Sequence, residues 1–191
     1  MLHMNRIPAL RTVAKGAGLA LGTVLTAAAA PLTLASGTAH ASGPTMCLDV
    51  GNTRNNGDPV QIWQCAVPGD DFVRNQQFVI DGGEIRVANT VGTNKPMCLD
   101  VGNTRNNNDP ARIWQCQNPV HPNQKFVIEH GQIKVADTVG SSKPMCLDIT
   151  PSRSNGARAL IYPCADAAAS NMYNQRFVIA HSMIKVADTL H

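Results

Sequence analysis

Three aspartates and the residues around them carry the chemistry most visible in this 191-residue chain. Asp49, Asp100 and Asp148 each stand two residues after a cysteine, and each is followed fourteen positions later by an aromatic residue: Trp63, Trp114 or Tyr162. Both tryptophans of the chain occupy this one recurring place, in a sequence that is only 4% aromatic. A carboxylate accepts hydrogen bonds from two neighbouring hydroxyls of a sugar, while an aromatic ring packs against the apolar C–H face of the same sugar. Gln61, Asn75 and Gln76 add amides that both donate and accept around the remaining hydroxyls.

Such side chains need elements that bring them together, and the chain repeats those elements three times. Met46-Cys47-Leu48-Asp49-Val50 recurs at Met97-Cys98-Leu99-Asp100-Val101 and at Met145-Cys146-Leu147-Asp148-Ile149. The first two copies agree at 13 of 14 positions over 46–59 and 97–110. An apolar segment follows in each copy (60–65, 111–116, 159–164), then an Asn-Gln-x-Phe segment beginning at Asn75, Asn123 or Asn174, then a closing segment at 85–88, 133–136 or 184–187. Each is short, rich in β-branched or aromatic residues and bounded by Gly, Asn, Asp or Pro, which is the grammar of strands and turns. Three units of four predicted strands point to an all-β, closed barrel with pseudo-threefold symmetry, and closure also removes exposed sheet edges.

The cysteines tie the pattern together. Cys47 and Cys65, Cys98 and Cys116, and Cys146 and Cys164 are each 18 positions apart. No C-x-x-C occurs, which argues against a zinc knuckle. The threefold repeat favours one disulfide within each copy. If Cys47 lies directly opposite Cys65 in an antiparallel pair, Asp49 faces Trp63 and Gly51 faces Gln61; the same register sets Asp100 against Trp114 and Asp148 against Tyr162. Alternation along a strand places Cys47, Asp49, Gln61 and Trp63 on one face and sends Leu48 and Ile62 into the core.

These units resemble the ricin B-type lectins, a family of β-trefoil carbohydrate-binding domains, in the Cys-Leu-Asp, Gln-Ile-Trp-Gln-Cys and Asn-Gln-x-aromatic segments. The resemblance spans 46–191. It departs from the family's Gln-x-Trp at Phe78, Phe126 and Phe177, which as core residues would fill the barrel. What the resemblance implies for copy one is a sugar site of Asp49, Gln61, Trp63, Asn75 and Gln76. For copy two it implies Asp100, Trp114, Asn123 and Gln124, with Arg112 in place of the strand-two glutamine. For copy three it implies Asp148, Tyr162, Asn174 and Gln175, with Leu160 at that place. Galactose-type sugars or a polysaccharide are the expected partners, no cofactor or metal is expected, and the protein is expected to be a monomer. Copy one, complete at all five positions, is expected to bind most tightly.

Other roles for the same residues follow from ordinary turn chemistry. Each Asp could accept backbone N–H groups of the turn after it, and the Asn-Gln pairs could hold loops by bonding to backbone. The tryptophans could be core, although alternation makes Ile62 and Ile113 the better core candidates. His121, His130, His181 and His191 lack ligand-like spacing.

The first residues read as an address. Arg6, Arg11 and Lys15 precede an apolar run from Gly16 to Ala35, and Ala39-His40-Ala41 is a small-x-small cleavage site, so residues 1–41 are read as a secretion signal rather than a membrane anchor. The expected mature domain is then 42–191, with repeats at about 46–96, 97–144 and 145–191, exported to where disulfides persist. The formal charge of +3 contains the three basic residues of that signal; 13 basic and 13 acidic residues remain, so the mature chain is neutral. Neutrality without a basic stripe argues against nucleic acid and removes attraction to anionic membranes. A glycosidase needs two carboxylates flanking one bond, yet the only glutamates are Glu84 and Glu129 and the recurring aspartates lie in separate units. A non-enzymatic sugar binder is therefore expected, with a trefoil protein-binding scaffold or protease inhibitor as the alternative.

Overall fold

The computed structural model describes residues 43–191 apart from Ala167; the expected signal segment lies outside the described residues. Thirteen strands run through this region: β1 (Met46–Asp49), β2 (Gln61–Gln64), β3 (Phe78–Asp81), β4 (Glu84–Val87), β5 (Met97–Asp100), β6 (Asp109–Pro110), β7 (Arg112–Gln115), β8 (Phe126–Glu129), β9 (Gln132–Val135), β10 (Met145–Ile149), β11 (Ala159–Pro163), β12 (Phe177–Ala180) and β13 (Met183–Val186). Twelve are the four-per-copy set expected from sequence; β6 is a two-residue addition. Short 3-10 turns are the only helical elements among the described residues.

The sequence repeat and the hydrogen-bonded sheet are different units. Strands order as β12-β13-β1-β2, β3-β4-β5-β7 and β6-β11-β10-β9-β8. Each sheet thus joins the second half of one copy to the first half of the next, and the third copy closes onto the first. Backbone rings complete the closure. Val60 donates to the carbonyl of Ala111, Ala111 to Ala159 and Ala159 to Val60, at 3.1, 3.0 and 3.0 Å. Phe78 donates to Ser182, Phe126 to Gly83 and Phe177 to Gly131 in a second ring. This is a β-trefoil.

The core follows from strand alternation. Leu48, Leu99 and Leu147 pack with Ile62, Ile113 and Ile161 and with Ile85, Ile133 and Ile184, all fully buried. Phe78, Phe126 and Phe177 are buried beside them, as expected for aromatics that fill the barrel. Three disulfides, Cys47–Cys65, Cys98–Cys116 and Cys146–Cys164, form within the copies.

Two sequence expectations are corrected. The register of β1 with β2 is shifted by two residues: Cys47 faces Trp63 and Asp49 faces Gln61, with Asp100 facing Arg112 and Asp148 facing Leu160 in the other copies. The reason is that the second cysteine of each pair lies beyond the strand; Cys65 donates its N–H to Thr45, Cys116 to Pro96 and Cys164 to Pro144, each at 2.8 Å. The disulfide therefore joins diagonal positions rather than opposed ones. A shift of two preserves alternation, so every face assignment survives. Second, the Asn-Gln segments are not strand. Asn75 ends a 3-10 turn over Asp71–Asn75, and Asn123 and Asn174 lie in the equivalent turns Pro122–Gln124 and Met172–Gln175, because their side chains bond to loops instead of leaving the backbone free for a ladder.

Candidate functional site

In copy one, β1 delivers Asp49, β2 delivers Gln61 and Trp63, and the 3-10 turn delivers Asn75. Asp49 is nearly buried, yet it borders an open cavity of about 210 Å³ lined also by Gly51, Asn52, Gln61, Trp63, Phe72 and Asn75. Trp63 is 45% exposed, so it is a wall and not core. Gly51 donates its N–H to Asp49 Oδ1 at 2.7 Å, so Asp49 does accept from the turn after it while still facing the cavity.

Gln76 does not line this cavity. It is 1% exposed, and its amide is fully engaged: Nε2 donates to Asp49 Oδ2 and to the Gln64 carbonyl, both at 3.1 Å, and Oε1 accepts from the Ala66 N–H at 2.8 Å. Gln124 makes the same bonds to Asp100, Gln115 and Gln117, and Gln175 to Asp148, Pro163 and Ala165. These three glutamines stand behind the carboxylates and aim them. Asn75 Oδ1 accepts from Arg54 and its Nδ2 donates to Asn52; Asn123 is held in the same way by Arg105 and Asn103, and Asn174 by Arg153.

Those arginines were not singled out in the sequence. Arg54, Arg105 and Arg153 each follow the site aspartate by five positions, and each clamps the loop after the first strand. Arg54 Nη1 donates to the Gly51 and Thr53 carbonyls at 2.7 Å, Arg105 to Gly102 and Thr104, and Arg153 to Thr150 and Ser152. Burial pulls the Arg54 guanidinium down from its ordinary value, with Asp49 acting in the opposite sense. The recurring spacing was the available signal. Phe72, 60% exposed at the cavity rim, has no aromatic counterpart in the other copies and so left no repeat to notice.

Copy three keeps a cavity of about 240 Å³ lined by Asp148, Leu160, Tyr162, Asn174, Asn171 and Asn108 among others. Asn171 stands where copy one has Phe72. Burial raises the Asp148 carboxyl above its usual value, against the opposing effects of the Gln175 bond and Arg153. Copy two differs. Arg112 Nε lies 3.3 Å from Asp100 Oδ1, and its guanidinium carbon lies 5.2 Å from the centre of the Trp114 ring.

A β-trefoil carrying a carboxylate and an aromatic face at the same place in each copy has the architecture of a lectin domain. The chain matches the ricin-type beta-trefoil lectin domain over residues 35–173 and belongs to that family. Among solved structures it is similar to the beta-trefoil lectin of the Vibrio vulnificus hemolysin/cytolysin with N-acetyl-D-lactosamine bound, at 21% identity, 71% of this chain, 85% of that one and a TM-score of 0.47. It is also similar to ThreeFoil, a designed 3-fold symmetric protein, at 22% identity, 74% of this chain, 96% of that one and a TM-score of 0.45. No curated protein matches the chain.

Proposed function

We propose that this is a secreted, monomeric, non-enzymatic lectin that recognises galactose-type sugars or a polysaccharide, chiefly through copy one. The observation that supports it is the copy-one cavity, where an aimed carboxylate, an exposed indole face and two amides converge on one open space. Concave sites with an apolar wall and a few placed polar groups suit ligands of this size. Asp49, Gln61, Trp63 and Asn75 make the contacts, and Gln76 holds Asp49 in place. Copy three is a weaker site, since Leu160 can neither donate nor accept. Residues 1–41 act as the secretion signal, leaving Ser42 as the mature N-terminus, and 42–191 is the lectin domain.

A glycan-binding screen tests the function. Binding to neutral glycans that falls several-fold in Asp49→Ala, more than in Asp100→Ala or Asp148→Ala, is the expected result, because each hydrogen bond lost is worth on the order of 1 kcal/mol. Absence of glycan binding together with inhibition of a protease would replace this reading with the scaffold alternative.

A further inference from the structure

The strand position directly opposite the site aspartate is occupied by three different residues: Gln61, Arg112 and Leu160. We propose that this position sets the state of each site, and that Arg112 is a built-in plug that keeps copy two closed to neutral sugars. The inference deepens the lectin reading and rests on it for its ligand.

The geometry of the plug is complete. In copy one, the space beside the Cα of Gly51 is open: a side-chain carbon placed there would meet nothing within 4 Å. Gly51 itself lines the copy-one cavity. At the equivalent Gly102 the same carbon would lie 2.8 Å from Arg112 Nη2 and 3.4 Å from its guanidinium carbon. The guanidinium of Arg112 therefore lies against the glycine whose counterpart in copy one lines the cavity. It also occupies both recognition groups at once, bonding Asp100 Oδ1 through Nε and lying over the Trp114 ring. A neutral sugar would have to displace an ion pair and a cation–π contact that no ligand hydroxyl replaces in charge. One open space borders Trp114 on the side of Asn56, Gln115, Asn118 and His121, and Asp100 does not line it.

Copy three supports the same rule from the other side. Leu160 cannot bond to the carboxylate, and there the cavity is open. Loss of the glutamine amide leaves a site; its replacement by a cation closes one.

Two measurements test this. The chain's two tryptophans sit one in each of copies one and two, so their indole N–H resonances report the two sites separately. D-Galactose titrated into the wild-type protein should move the Trp63 signal and leave Trp114 in place; in Arg112→Gln both should move, with copy two gaining at least about tenfold in affinity, and in Gln61→Arg the Trp63 response should be lost. A Trp114 response in the wild type at the same midpoint as Trp63, or none in Arg112→Gln when Trp63 responds, overturns the plug and leaves the lectin reading standing. The second measurement needs no sugar. In Trp63→Phe, where Trp114 is the remaining tryptophan, acrylamide should quench fluorescence more strongly after Arg112→Gln or after Arg112→Leu, both of which remove the cation. Unchanged quenching in both folded variants overturns the plug whatever the sugar. A missing Trp63 response to galactose with quenching increased upholds the plug and faults the choice of sugar class.

Discussion

Asp49, Asp100 and Asp148 share a repeat position but carry different loads. Gly51 and Gly102 adopt left-handed backbone (φ +65° and +72°), which lets their N–H groups turn back to Oδ1 of the aspartate at 2.7 Å. Copy three has Thr150 there, outside the left-handed region, as expected for a β-branched residue. Asp148 is consequently held by Gln175 without that turn bond, and burial holds its carboxyl above the usual value. The sign of the consequence is fixed by linkage. A raised folded-state value means the folded protein holds the proton more tightly than the unfolded chain, so the charged form weakens the fold. Stability from this group grows as pH falls through the folded value towards the ordinary one, and it is absent at neutral pH. Asp148→Asn should therefore match or exceed the wild-type melting temperature at pH 7 and lose that advantage as the pH drops to where Asp148 is protonated. Melting curves of the two proteins across the acid range check this; an equal deficit of the variant at every pH would contradict it.

At the scale of elements, each copy begins with a strand anchored by the end of the copy before it. The Thr90 hydroxyl donates to Val87 O and accepts from Met97 N, Thr138 does so between Val135 and Met145, and Thr189 between Val186 and Met46. Thr189 is the staple between the last copy and the first. Thr189→Val keeps the shape but leaves the buried Met46 N–H and Val186 carbonyl short of a partner, a loss of roughly 1–3 kcal/mol. Denaturant unfolding should show the midpoint falling with an unchanged slope. The disulfides add constraint of another kind, each closing a loop of 18 residues, worth about 3 kcal/mol in the chain-entropy picture.

At the scale of the molecule, the proposed copy-one and copy-three sites lie on one closed domain. Two linked sites raise apparent affinity for a repeating ligand through effective concentration, with no new contact. Binding to a dense polysaccharide should therefore fall in Asp148→Ala by a larger factor than binding of a small sugar does. Surface-immobilised polysaccharide and calorimetry with a monosaccharide provide the comparison. Equal losses in both formats would mean that the sites act singly.

The all-β class, the threefold architecture, the disulfide pairs and the buried face were legible in the chain, because they follow from strand alternation and from a repeat that cannot bury its apolar face alone. Alternation assigns Leu48 and Ile62 inward, the family resemblance does so for Phe78, and inward all three lie. Register is a different matter. It depends on where Cys65 finds a backbone acceptor, and that acceptor is Thr45, which alternation cannot specify to better than an even number of residues. Gln76 looked like a ligand-facing amide because its type allows it. Its partners are Asp49 on the first strand and Gln64 and Ala66 at the end of the second, so only folding could turn it inward. Arg112 was visible as a departure from glutamine, but its reach to Asp100, Trp114 and Gly102 together is a property of opposed strands in space. Local pattern decides which face a residue takes; contacts between distant segments decide what it touches there.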